Sequence, residues 1–264
     1  MTDYPLPNNS ADLTGRVALV TGASSGLGAR FARVLAAQGA AVALCARRKD
    51  RLEALAAEIE AAGGRALAVQ MDATDADSMI AAVAAAEAAF GTVDILVNNA
   101  GMPDAQRAHK MSLELIDNVI GVNLRGPWIL SCEVARRLIA AGKPGRMVNI
   151  SSVAHYKYDG NGAALYAVTK TAIARMTDAL SMEWAPYNIN VNAIAPGMFV
   201  SEMTDGMFER MGGNPAPHVA RKRIPVPEQM DSTLLYLVAP ASECVTGAII
   251  KIDDGQGSAV RLRS

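Results

Sequence analysis

The 264-residue chain carries 25 basic and 26 acidic residues, a net charge of −1, with neither sign gathered into a long block. That balance excludes a polybasic surface for nucleic acid or anionic membrane. Hydrophobic residues make up 51% and aromatics only 5%, so the core must be built from Ala, Val, Leu, Ile and Met, as in Ala-rich helices laid on Val/Ile-rich strands.

In chain order, the apolar run "RVALVT" (16–21) reads as a buried strand, followed by the turn "GASSGLG" and a helix through "ARFARVLAAQ". "AAVALCA" (40–46) is a second strand, and "KDRLEALAAEIEAAG" a helix of 3.6-residue period ending at Gly63-Gly64. "RALAVQMD" (65–72) is a third strand, after which Thr74 or Asp75 caps an Ala-rich helix to Phe90. "VDILVNNAG" (93–101) is a strand running into a loop, and a long helical region covers about 112–141. "GRMVNISS" (145–152), a helix to about Tyr187, "INVNAIAPG" (189–197), a helix near 227–238 and the strand "GAIIKID" (247–253) complete the series. Strict β/α alternation predicts an α/β fold, a doubly wound parallel sheet of about seven strands with helices on both faces.

No repeat or linker divides the chain, so a polar N-terminal extension (1–12) and one domain (13–264) are expected, ending in a short basic tail "RLRS". The opening "MTDYPLPNNSADLTG" has neither the basic start nor the apolar core of a signal peptide, and no apolar run approaches the roughly 20 residues needed to span a bilayer. Cys45, Cys132 and Cys244 fit neither a disulfide framework nor a metal-binding spacing, and His109 and His218 show no metal spacing. The expectation is a soluble cytoplasmic protein with no metal site.

"TGASSGLG" (21–28) follows a strand and opens a helix, the setting in which a glycine turn holds a dinucleotide. Gly22 permits the tight turn, Gly26 lets the backbone approach a pyrophosphate, and Gly28 allows close helix–strand packing. The spacing is G-x-x-x-G-x-G, and a plain tight turn is the alternative. At the end of the second strand, where an acid would bind the adenosine ribose, stand Cys45-Ala46-Arg47-Arg48. Two guanidiniums and no carboxylate favour a 2′-phosphate, hence NADP(H) over NAD(H), although the arginines could also simply solvate a loop.

In "ALYAVTK" (164–170), Tyr166 and Lys170 lie four apart on one helix face. Taken alone, the pair reads more readily as an ordinary helix surface. With "TGASSGLG", "NNAG" (98–101), "NISS" (149–152), "YAVTK" (166–170) and "PG" (196–197) in this order, the chain resembles the short-chain dehydrogenase/reductase family from about Leu13 to Gly257.

That resemblance implies a Rossmann-like fold and an NAD(P)-dependent enzyme acting on CH–OH groups. It implies Tyr166 as general acid/base, Lys170 as its cationic partner on the nicotinamide ribose, Ser152 as hydrogen-bond partner of the substrate oxygen, and Asn123 as holder of a proton-relaying water. A phenol of pKa about 10 is a poor acid–base group at neutral pH, and a nearby cation favours phenolate. The Ser–Tyr spacing is one residue longer than the family's, and the extra residue is placed in "HYKYDGNG", leaving Ser151 as a structural strand-end residue. A mid-helix Asn123 also suggests a function or a helix kink.

The cofactor set implied is Gly22, Ser24, Ser25, Gly26, Leu27, Gly28, Arg47, Arg48, Asp72, Ala73, Asn98, Ala100, Gly101, Tyr166, Lys170, Pro196, Gly197, Met198 and Ser201. Within it, Asp72 meets the adenine amine, Asn98 lies along the cofactor and Ser201 replaces the usual Thr, while Asn99 is expected to brace its strand. The family's C-terminal Asp-Gly-Gly is Asp253-Asp254-Gly255 here, so that loop's conformation is open.

The substrate lid is expected at about 198–227. Met198, Phe199, Met203, Met207, Phe208 and Met211 there suggest an apolar, permissive pocket, with Met207 and Met211 equally readable as the buried face of a lid helix. His155 and Tyr156 are candidates for the pocket edge. The leading reading is reduction of a ketone, or oxidation of a secondary alcohol, of apolar character. A 3-oxoacyl-thioester reductase is the alternative, requiring a carrier-protein patch for which Arg136, Arg137 and Lys143 are candidates. A silent cofactor-binding sensor is a third reading, but such proteins usually lose the Tyr or Lys retained here. The resemblance also implies a homotetramer or dimer built on the long helices at 112–141 and around Tyr166.

Overall fold

The computed structural model describes residues 5–158, 160, 162–201, 204, 213 and 215–257. Seven strands, β1 (Val17–Thr21), β2 (Ala41–Ala46), β3 (Arg65–Gln70), β4 (Ile95–Asn98), β5 (Gly145–Ile150), β6 (Ile189–Pro196) and β7 (Ile249–Ile252), form one sheet. Its order is β3-β2-β1-β4-β5-β6-β7, and every pairing is parallel. The helices are α1 (Gly26–Ala37), α2 (Lys49–Ala61), α3 (Ala76–Phe90), α4 (Leu113–Ile120), α5 (Gly126–Ala141), α6 (Ala164–Trp184) and α7 (Asp231–Val238).

Side-chain alternation sorts the strands onto two cores. Ala18 and Val20 of β1, with Ile95, Val97, Val148 and Ile150, face α1, α2 and α7 through Phe31, Leu35, Leu52, Leu55 and Leu234. Leu19, Leu96 and Met147 face α3, α5 and α6 through Met79, Val83, Leu130, Leu138, Ile173 and Leu180. On α2 the buried set Leu52, Leu55, Ala56 and Ile59 follows one helical stripe. Asp75, one of the two expected caps of α3, accepts a hydrogen bond from the Asp77 N–H (3.1 Å).

Because the sheet is parallel and its order reverses between β1 and β4, the carboxyl ends of β1, β4, β5 and β6 open onto one edge with a crevice at the reversal. Asp94, at the opposite edge, accepts from the Val17 N–H (2.9 Å) and pairs with Arg16, closing the far end of β1 and β4.

Two expectations are corrected. The helical region 112–141 is not one α-helix: Gly121–Arg125 forms a π-helical segment between α4 and α5, which one continuous hydrophobic pattern could not reveal. Phe199 is 3% exposed and belongs to the core beneath α7, so it does not line a pocket. Met203, Met207, Phe208, Met211 and the tail 261–264 lie outside the described residues.

Candidate active site

The glycine turn sits at the carboxyl end of β1. Gly22 and Gly26 adopt φ of +67° and +53°, a conformation L side chains rarely take. A Cβ on Gly28 would stand 2.3 Å from the Gly22 carbonyl oxygen, so the close approach of α1 to the turn demands glycine. Asn99 locks the turn from β4: its Nδ2 donates to the Thr21 carbonyl (2.9 Å), and the Asn99 and Ala100 N–H groups donate to Thr21 Oγ1 (3.0 and 2.9 Å). Leu27 packs against the first core.

No side chain caps α1: Ser25, at its N-cap, makes no cap bond. Its hydroxyl instead accepts from Arg48 Nη2 (2.8 Å), which also reaches Ser24 Oγ (2.9 Å), so the guanidinium at the end of β2 spans the turn. Helix-terminal N–H groups and positive end charge thus face the crevice, as phosphate binding requires. A Cβ on Gly26 would enter that crevice 3.7 Å from Ser201 Cβ, which shows how narrowly the turn faces the loop after β6. The residues present fit a dinucleotide.

Arg47 and Asp72 line a cavity of about 390 Å³ with Gln70, Met71 and Ser78, next to the turn. Asp72 Oδ1 accepts from Thr74 N–H and hydroxyl (both 2.8 Å), bonds that hold its carboxyl below the usual range, with Arg47 adding to the effect. Beside it, Ala73 touches α5: a Cβ on Gly126 would meet the Ala73 carbonyl oxygen at 2.5 Å. Asn98 turns its amide into the protein, Nδ2 donating to Ser131 Oγ and Asn149 Oδ1 (both 2.9 Å), and its Oδ1 has no partner among the described residues.

β5 ends with two serines of opposite orientation. Ser151 is buried, its hydroxyl donating to the Lys170 carbonyl (2.9 Å). Ser152 faces the site beside the Tyr166 phenol, whose ionisation it favours, and its hydroxyl accepts from the Ala154 N–H (3.1 Å). The loop that follows carries His155, whose Nδ1 lies 2.7 Å from the Ser152 carbonyl, and Tyr156, stacked edge-on against it.

Tyr166 and Lys170 project from α6. Lys170 is 4% exposed, and its Nζ donates to the Ile150 carbonyl (2.7 Å). Burial lowers its pKa to about 8. Burial also raises the Tyr166 phenol above its ordinary value, with the Asp104 charge adding to the rise and the Ser152 bond opposing it. The expected easing toward phenolate is therefore not what the protein alone provides, because desolvation, with the Asp104 charge, outweighs the Ser152 contribution.

Asn123 lies in the π-helical segment, 1% exposed. Its Oδ1 accepts from the Met102 N–H (2.8 Å), while Nδ2 donates to the Met102 carbonyl (2.9 Å) and Thr169 Oγ1 (3.2 Å). Gly101 sits between the two polar groups: a Cβ there would lie 3.5 Å from Lys170 Nζ and 3.6 Å from Asn123 Oδ1. Asn123, Ser152, Tyr166 and Lys170 thus converge on the edge that carries the glycine turn.

Local sequence reasoning missed two further supports. Gln256 clasps the turn after β6, accepting from Met198 N–H (2.6 Å) and donating to its carbonyl (3.2 Å), while Gly197 N–H donates to Ile252 (2.8 Å) and Pro196 pairs with β7. Asp104, between "NNAG" and α4, is the other, its carboxylate accepting from Leu165 and Tyr166 N–H groups (2.9 and 3.1 Å). In the C-terminal loop Asp254 takes φ of +52° and pairs with Arg221 and Arg223.

Residues 16–212 match the short chain dehydrogenase family model. The chain belongs to that family. It is 39% identical to the short-chain reductase protein NovJ of Streptomyces niveus over 248 residues, covering 91% of this chain and 93% of that one. Among solved structures, a short-chain type dehydrogenase/reductase from Mycobacterium marinum superposes with a TM-score of 0.89 at 32% identity, covering 93% and 97% of the two chains. A Beutenbergia cavernae protein, assigned as an NAD(P)-dependent gluconate 5-dehydrogenase and holding NADP at low occupancy, superposes with a TM-score of 0.87 at 35% identity over 94% and 99%. As a short-chain dehydrogenase the protein is an oxidoreductase of CH–OH groups that uses NAD(P). No helix among the described residues is long and apolar enough to cross a membrane, and no metal-binding cluster of three or more side chains is found among them.

Proposed function

We propose that the protein interconverts a ketone and a secondary alcohol with NADP(H), on an apolar substrate, with Tyr166 as general acid/base. The observation that carries the reading is the meeting of Ser152, Tyr166 and Lys170 at the edge where the glycine turn and Ser201 enclose a crevice. When bound, the nicotinamide supplies or takes the hydride. In reduction, the Tyr166 phenol gives its proton to the substrate oxygen, and in oxidation it takes that proton back. The Ser152 hydroxyl donates to the same oxygen as charge grows on it. Lys170 serves the nicotinamide ribose, and the committed side-chain bonds of Asn123 hold the 102 backbone against α6.

The NADP preference rests on Arg48, bonded across the turn to Ser24 and Ser25, and on the absence of an acid at 45–48. The apolar substrate rests on Met198, Met203, Met207, Phe208 and Met211 in the sequence, Phe199 having gone to the core. We read residues 13–264 as a single catalytic domain in the cytoplasm, with residues 198–227 as the lid. For a homo-oligomer, the support is an apolar face on α5 and α6, where Trp128 is 47% exposed beside Ile120, Leu124 and Met176. Against the thioester reading stand the ion pairs of Arg136 and Arg137 with Glu133, that of Arg137 with Glu87, and the Lys143 bond to Thr92, all toward the end of α5 remote from Ser152.

The test is NADPH oxidation across small ketones, bulky cyclic and aryl ketones, hydroxylated keto acids and a 3-oxoacyl thioester, with NADH in parallel. Preference for bulky ketones with NADPH supports the reading, whereas preference for the thioester or the keto acids, or for NADH, overturns the corresponding part.

A further inference from the structure

α6 carries the reacting phenol in its first turn, yet its own N-cap residue is Ala163, which has no side chain to cap with. The orphan N–H groups of a first turn need partners. Here they come from another part of the chain: Asp104 Oδ2 accepts from Leu165 N–H (2.9 Å) and from the N–H of Tyr166 itself (3.1 Å). Oδ1 accepts from Ala105 N–H (2.8 Å). The carboxylate is 3% exposed and three backbone donors point at it.

The segment that brings Asp104 there is itself pinned. Asn123 holds both polar groups of Met102, two residues earlier. Ala105, one residue later, takes φ of +52°, a left-handed conformation that L side chains rarely adopt. Such local strain persists only where surrounding bonds fix it. Thr169 closes the circuit, accepting from Asn123 Nδ2 and donating to the Tyr166 carbonyl (2.8 Å). The route from Asn123 through Thr169 to the Tyr166 carbonyl is hydrogen-bonded throughout, and the route through Met102 and Asp104 adds two residues of chain between its bonds.

We propose that Asp104 is a positioning residue, its carboxylate capping α6 from across the fold so that the Tyr166 phenol is held against Ser152. The proposal deepens the acid/base reading and rests on it. The same carboxylate has a second effect through space. Three groups act on the phenol: the Ser152 hydroxyl, the Lys170 amine 5.6 Å from the ring centre, and the Asp104 charge, which opposes ionisation. Asp104 therefore favours the proton-donating form, and with it carbonyl reduction.

Cap and charge separate in two variants. Asp104→Asn keeps an acceptor for the α6 N–H groups and drops the charge, whereas Asp104→Ala drops both. The protein is labelled with ¹³C at the tyrosine ring carbon bearing oxygen, the Tyr166 signal being assigned by its loss in Tyr166→Phe. In Asp104→Asn, Tyr166 should titrate at lower pH than in wild type. Its kcat for reduction should fall by less than about tenfold and its KM for NADPH should hold. In Asp104→Ala, kcat should fall about 100-fold, the size expected when a reacting group is misplaced by about 1 Å, again without a matching change in KM. An unshifted Tyr166 titration in Asp104→Asn overturns the charge role, and equal kcat in wild type and Asp104→Ala overturns the positioning role. If Asp104→Ala does not fold, Asp104→Ser takes its place, its single shorter hydroxyl being unable to serve Ala105, Leu165 and Tyr166 together, and wild-type kcat in that variant overturns the positioning role. Turnover that survives Tyr166→Phe while the titration still shifts would instead count against the acid/base reading and leave the contact with Asp104 intact.

Discussion

The Lys170 Nζ lies 5.6 Å from the centre of the Tyr166 ring and 2.7 Å from the Ile150 carbonyl oxygen to which it donates. The amine is buried where its charge is expensive, and its pKa falls to about 8. Relative to an ordinary lysine, that drop corresponds to about 3 kcal/mol of folding stability forgone when the side chain is charged. The unfolded chain holds the proton more tightly than the native one, so the deficit is complete below pH 8 and vanishes as pH rises toward the ordinary lysine value. Lys170→Met should therefore abolish turnover while raising stability at pH 7, with the advantage shrinking above pH 8. Urea unfolding at pH 7 and pH 10 measures both; equal stability of variant and wild type at pH 7 would contradict the assignment.

Ser152 is the one neighbour whose bond lowers the Tyr166 pKa against burial. Alcohol oxidation needs the phenolate, so its rate should climb with pH, while reduction should stay flat through neutrality and fall in alkali. Ser152→Ala should move the oxidation limb to higher pH and cost about 10²–10³ in kcat, the range for losing one oxyanion donor. The profile of kcat/KM against pH in both directions decides, and superimposable limbs would remove Ser152 from the site.

Arg48 reaches Ser24 and Ser25 from the end of β2. Losing a charged contact to a phosphate costs about 1.5–3 kcal/mol. Arg48→Ala should raise the KM for NADPH by about 10–100-fold and leave that for NADH within about threefold. Parallel titrations with the two cofactors make the comparison, and an equal loss for both would place Arg48 outside any 2′-phosphate contact.

At Gly28 the smallest side chain would collide with the Gly22 carbonyl oxygen and with Asn99 Nδ2, which itself bonds the strand. Neither neighbour is free to swing away, so Gly28→Ala should destabilise the fold by about 1–3 kcal/mol. Cofactor protection against heating should be lost with it. A variant that melts and binds like wild type would show that the turn relaxes easily.

Most of the architecture is legible because parallel strands buried on both faces leave unbroken apolar runs: "VALVT", "AVALCA" and "NVNAIAP" name their own strands. The glycine turn and the Tyr166–Lys170 pair are legible because their geometry is local. What escaped reading is non-local. Asp104 stands 61 residues from the helix it caps, and nothing around it announces a cap. Phe199 reads as a pocket residue beside Met198 because burial under α7 is set by chain crossings far away. The direction in which Tyr166 shifts was also hidden, since a neighbouring cation is visible in sequence and desolvation is not.

A π-helical segment holds one more residue in a turn than the helices on either side. Removing one residue from Gly121–Arg125 would restore a plain α-helix with α4 and α5 still presenting the same faces, and would lose the local bulge that carries Asn123. Asn123 would leave Met102 while Trp128 kept its face. The chain therefore counts residues strictly here. Between Ser152 and Tyr166 the sequence is one residue longer than the family resemblance leads one to expect, and Ser152 still lies beside the phenol. Insertions and deletions should thus divide this enzyme into segments whose length is fixed by catalysis and segments whose length is free to drift.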